Sequence, residues 1–179
     1  MEYPIPLTLL HVLNDEHARE WSSGPVRGHE RQMVRWIEVA ELPPSKLIIG
    51  LSDSGYWVRG GATVEIANGP HAISLLPCLE CPSEMFRQAL RDSLARRGLP
   101  DALEDTFPID DLIVAGLKSG SEYWTRLALD RVEEVGATPA TRDVLRAAPR
   151  SAPTQPLRHR VRAMLEETVD AAPRLQDWG

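Results

Sequence analysis

Between residues 47 and 76 the chain is cut into short apolar runs by turn residues, and no long helix can be drawn through it. The runs are Leu47-Ile48-Ile49, Tyr56-Trp57-Val58, Thr63-Val64-Glu65-Ile66 and Ile73-Ser74-Leu75-Leu76. Asp53-Ser54-Gly55, Gly60-Gly61 and Asn68-Gly69-Pro70 separate them. Glycine and asparagine supply the positive φ that tight hairpins require. The stretch therefore predicts a small antiparallel β-meander. Such a sheet needs cover on one face. The nearest cover is two helices expected upstream, over 7–21 and 28–42. In the first, Leu9, Leu10, Leu13 and His17 share a side, and Ser22-Ser23-Gly24-Pro25 ends it. In the second, Met33, Trp36, Ile37 and Ala40 stand at i, i+3, i+4 and i+7, and Pro43-Pro44 stops it.

Downstream the pattern is helical. Cys81-Pro82-Ser83-Glu84 opens a helix with Met85, Phe86, Ala89, Leu90 and Leu94 as its apolar stripe, closed by Gly98 and Pro100. Pro108-Ile109-Asp110-Asp111 starts a short helix through Leu117. Ser121 caps the next, with Tyr123, Trp124, Leu127, Ala128, Arg131 and Val135 at helical spacing and Gly136 at its end. Thr138 or Thr141 begins another, through Ala148. Pro149, Pro153 and Pro156 forbid one long helix, so 157–169 forms the last. The expected class is α+β: N-terminal helices with a small antiparallel β-meander, followed by a mainly helical C-terminal half. Residues 1–98 and 99–172 are expected to share one core, with 173–179 a frayed tail. The run of helices with short breaks resembles HEAT-type packing in architecture, without a repeat at fixed period.

A chain of 179 residues with 42% hydrophobic content can bury a core. It has no apolar run near the ~20 residues of a membrane span, and no secretory leader is expected from Met1-Glu2-Tyr3-Pro4. Its cysteines, Cys78 and Cys81, are too few for a disulfide scaffold, so a cytoplasmic setting is expected. The net charge of −6 argues against a general nucleic-acid binder. That charge is uneven. Six arginines face one acid, Asp143, between Thr138 and Met164, a local +5, and the remaining 14 basic and 25 acidic residues carry −11.

Pro77-Cys78-Leu79-Glu80-Cys81 is the sharpest local motif. Two thiolates at this spacing can bind zinc or form a redox pair. Following a β-prone run and opening a helix, it resembles one half of the zinc site in the nucleoside and nucleic-acid deaminase family. That resemblance implies zinc, a third ligand and a glutamate from an upstream His-x-Glu. Here His29 is followed directly by Glu30, and His71 by Ala72 and Ile73. Under this alternative the ligands are Cys78 and Cys81 with His29 and His71, and Glu30 carries the proton. The competing reading is two semi-buried cysteines at a strand–helix junction. No Gly-x-Ser-x-Gly elbow or phosphate-cradling loop occurs. Asp101, Glu104, Asp105, Asp110 and Asp111 lack the order of a Ca²⁺ loop and read as solvated helix starts.

Arginines give the best recognition candidate. Arg142, Arg146 and Arg150 fall at four-residue steps, as do Arg158 and Arg162, which places each set along one helix side. Guanidinium groups clamp carboxylates or phosphates in bidentate fashion. The competing reading pairs them internally with Glu133, Glu134, Glu166 and Glu167. Trp57 in the meander and Trp178 in the tail are further candidates for exposed anchors, although a core position also suits Trp57. The leading expectation is a soluble, cytoplasmic, non-catalytic protein, without cofactor, that binds another protein bearing an acidic patch. Bacterial immunity proteins are an analogy of this kind. The alternative is a zinc-dependent hydrolytic deaminase-like enzyme.

Overall fold

The computed structural model describes residues 5–15, 20–42, 45–67 and 69–170. His17, Pro43-Pro44, Asn68, Trp178 and the tail from 173 lie outside the described residues. The architecture is α+β, a curled five-stranded antiparallel sheet followed by helices. The strands run in sequential order: β1 (Ser22–Val26), β2 (His29–Leu42), β3 (Leu47–Ser52), β4 (Trp57–Arg59) and β5 (Glu65–Ile66). Ahead of them lies α1 (Leu7–Asp15), whose Leu13 is buried and whose Asn14 side chain donates to the Asp53 carbonyl at 3.0 Å.

Three expectations are corrected here. The helix expected over 28–42 is the long strand β2, and the break expected at 22–25 is β1. The reason is two-sided burial. Val34 and Trp36 join one apolar cluster with Val26, Val58 and Val64, while Ile37 and Val39 join the main core on the opposite face. A bulge between Glu38 and Ala40 then shifts the register. Apolar residues on both faces plus one inserted residue reproduce a helical spacing inside a strand. The run at 73–76, expected as a strand, lies in a 3-10 helix, η1 (Gly69–Glu80). A short continuous apolar run does not distinguish the two by its period.

The sheet curls enough that its two ends meet. Val26 bridges Val64, with Arg27 N–H donating to the Val64 carbonyl at 3.0 Å and Val64 N–H to the Pro25 carbonyl at 2.9 Å. Inside the curl the Trp36 ring lies flat against the backbone of Gly50 and Gly60. Outside it, Ile37, Val39, Ile49, Leu51 and Trp57 pack into the main core.

The other layer comprises η1, α2 (Ser83–Arg96), a second 3-10 helix η2 (Asp101–Thr106), α3 (Ile109–Lys118), α4 (Glu122–Val135), α5 (Pro139–Ser151) and α6 (Gln155–Asp170). Helix α2 covers β2, the role expected of the upstream segments, while α3 packs on η1, α4 and α5. The α3–α4 approach is close because Gly116 has no side chain; a Cβ there would lie 2.8 Å from that of Ala128. One apolar cluster runs from Ile5 through the sheet and helices to Met164. No described helix is long and apolar enough to cross a membrane.

Candidate functional site

The arginines at four-residue steps stand on α5 and α6, and local sequence explains both helices. Pro139 opens α5, and Thr138 and Thr141 form a reciprocal capping box. Thr141, Leu145 and Ala148 face the core from α5, and Leu157, Val161 and Met164 do so from α6. That leaves Arg142, Arg146 and Arg162 exposed and Arg158 partly so. The Arg150 side chain is outside the described residues.

Three of these four arginines have a fixing of their own. Arg142 Nε donates to the Ala137 carbonyl at 3.1 Å. Arg158 Nη1 donates to the Ala152 carbonyl at 2.9 Å, which satisfies an orphan acceptor where α5 ends. Arg146 meets Asp143 at 2.6 Å in a pair whose members are both largely solvated, a geometry worth little. The two backbone anchors hold the guanidinium groups without neutralising them.

Two of the four carboxylates expected to neutralise this stripe, Glu133 and Glu134, are engaged by other cations. Glu133, with Asp130, holds Arg160 at 2.9 and 2.7 Å. Burial pulls the Arg160 pKa down, but its hydrogen bonds to Asp130 and Glu133 outweigh that and raise it overall. Glu134 lies 3.4 Å from Arg131 and also accepts the Ser83 N–H at 3.2 Å. That acceptance supplies the cap missing at the start of α2, where Pro82 offers no side chain for the purpose.

Trp57 does not provide an exposed anchor. It is 1% exposed, its Nε1 donates to Thr106 Oγ1 at 3.1 Å, and its ring meets Phe107 edge-on with centroids 5.2 Å apart. The tryptophan ties the sheet to the turn after α2.

Cys78 and Cys81 are free thiols, 2% and 5% exposed. The strand expected before them is η1, so the strand–motif–helix context of the deaminase resemblance is not reproduced. Burial pushes the Cys78 thiol up to about 12 and raises Cys81 as well, against the pull of Arg131. A metal-ligating or redox thiol moves the other way. His29 and Glu30 are exposed at the start of β2, and the His71 side chain is outside the described residues. Among the described residues no three His, Cys, Asp or Glu side chains are grouped to hold a metal ion, so those residues do not fit the zinc site.

Arg131 is the residue beside the thiols that sequence reasoning did not single out. Only 3% of its side chain is exposed. Its Nη2 donates to the Cys81 carbonyl. Burial lowers its pKa from the usual guanidinium value, with Glu134 opposing, and it stays charged. Its signal in the sequence was a cation placed among Trp124, Leu127, Ala128 and Val135 on the helical stripe of α4. Comparison with known protein families, characterised proteins and solved structures finds no match to this chain.

Proposed function

We propose that the protein acts by docking another protein through the arginines of α5 and α6, with no chemistry of its own. The observation that carries this reading is that Arg142, Arg146 and Arg162 are exposed while Glu133 and Glu134 are engaged by Arg160 and Arg131. Positive charge is thereby kept at one region of a chain that is acidic elsewhere. Such a distribution steers a partner with a complementary acidic patch and disfavours wrong orientations. A polyanion such as nucleic acid would meet the −11 carried by the remaining chain. The free thiols suit a reducing compartment, so the reading takes the cytoplasm as its setting and an immunity-type or accessory role as its biological form.

The test is a triple charge reversal, Arg142→Glu, Arg146→Glu and Arg162→Glu. Arg158 is left intact because it caps α5. Proteins retained by the tagged full chain from its host are identified, and the affinity of the retained protein is then measured for both versions. The reversal is expected to weaken binding about ten- to a hundredfold, with the loss largest at low salt. An unchanged affinity, or retention of no protein by either version, refutes the proposal.

A further inference from the structure

A cleft between the first turns of α2, the turn η2 and the last turns of α4 holds about 110 Å³ of open space. That is room for roughly four waters at ~30 Å³ each, and the cleft is open to solvent beyond it. Its walls are chemically divided. Arg87 from α2 and Arg131 from α4 supply cations, and Glu104 and Asp105 from η2 supply carboxylates. Phe86 and Phe107, both nearly buried and with ring centroids 4.7 Å apart, supply an apolar surface.

Some of these charges are already engaged. Glu104 meets Arg91 at 3.3 Å, and Arg131 is held by Glu134 and the Cys81 carbonyl. Arg87 and Asp105 are exposed, and among the described residues no ion pair engages either of them. A simple anion entering the cleft would be drawn to Arg87 and Arg131 and repelled by Asp105. A simple cation would meet the reverse. A small molecule carrying both charges beside an apolar chain suits every wall at once. Keeping Arg131 almost wholly out of water is costly unless its hydrogen-bonding capacity is well used, and a carboxylate is the group a guanidinium binds best.

We propose that this cleft binds a free aliphatic α-amino acid, its carboxylate on Arg87 and Arg131, its ammonium on Asp105 and Glu104, and its side chain against Phe86 and Phe107. The site is separate from the arginines of α5 and α6. Charge reversal there leaves it intact, and failure of the docking test has no bearing on it.

The test is calorimetric titration of the full chain with leucine and valine. Leucinamide, which lacks the carboxylate, and isocaproate, which lacks the ammonium, serve as controls. Arg87→Gln and Asp105→Asn are the variants, both at exposed positions, with unliganded thermal melts to show that the fold is kept. One saturable site for leucine or valine is expected, weakened at least about tenfold for each control and each variant. The same amino acid is expected to raise the melting temperature of the unmodified chain. No saturable heat and no thermal shift with either amino acid overturns the proposal. So does equal binding of leucinamide or isocaproate, or affinity unchanged in both variants.

Discussion

Trp36 is trapped against two glycines, and Gly60→Ala tests how tightly. An alanine Cβ at residue 60 would lie 2.2 Å from Cη2 of the Trp36 ring, 2.6 Å from Cζ3 and 2.8 Å from Cζ2. Carbon atoms in contact prefer ~3.5–4.0 Å, so the ring must move by roughly 1.3 Å or more. The same ring rests on Gly50 as well, where a Cβ would lie 2.6 Å from Cε3, so its close approach to the sheet depends on both glycines. Overpacking of this kind costs about 1–3 kcal/mol. Gly60 is not among the residues with positive φ, so alanine is otherwise acceptable there and gains about 0.4–1 kcal/mol by stiffening the unfolded chain. In a Trp36→Val background the ring is gone, and Gly60→Ala is expected to be neutral or stabilising. The unfolded-chain gain is common to both backgrounds and cancels, so the double-mutant cycle predicts a coupling of about 1–3 kcal/mol. Urea unfolding followed by far-UV circular dichroism measures it. The melting temperature of Gly60→Ala alone is expected to fall about 2–4 °C per kcal/mol lost. Equal effects of Gly60→Ala in both backgrounds would falsify the trapping argument, as would no destabilisation when the tryptophan is present.

The thiol of Cys78 makes stability depend on pH. Its pKa is raised from 9.0 to about 12 on folding, so between those values the folded chain keeps a proton that the unfolded chain has released. This contribution is fully present below pH 9 and is lost as pH rises toward 12, by at most about 1.4 kcal/mol per pH unit. Urea melts at pH 7 and pH 10 are expected to show a larger fall for the unmodified chain than for Cys78→Ala, and parallel behaviour would refute the assignment. Thr138→Ala removes the side-chain cap of α5 and is expected to cost about 1 kcal/mol, measured by the same unfolding assay. Because α5 carries Arg142 and Arg146, that variant also weakens the proposed docking surface without altering its charge, and binding that tracks charge alone would show that helix order is irrelevant there.

The C-terminal helices were legible because their boundaries are chemical. Pro82, Ser121, Gly136, Thr138 and Pro153 start or stop helices whatever packs around them, whereas Pro149, expected to end a helix at Ala148, lies inside α5, which runs on to Ser151. The strand β2 was not legible because it is buried on both faces and bulged, so the alternation that marks a one-sided strand is missing. Sequence also placed the arginines on helix sides correctly but could not assign their partners. Glu133 goes to Arg160, a pairing that depends on where α6 crosses α4, and Glu134 goes to Arg131 one turn away on α4 itself. Arg131 itself was visible as an arginine on an apolar stripe. Only the packing of η1 and α2 against α4 shows that it is held inside, next to the thiols.

The seam where Val26 meets Val64 limits how another polypeptide can be received. Open strand edges invite a foreign strand to add itself to the sheet. At this seam the carbonyls of Pro25 and Val64 and the amides of Arg27 and Val64 are already taken, so this stretch of edge offers no ladder to extend. Recognition there must be written in side chains, which can be exchanged one at a time to follow a changing counterpart while the backbone beneath them stays the same.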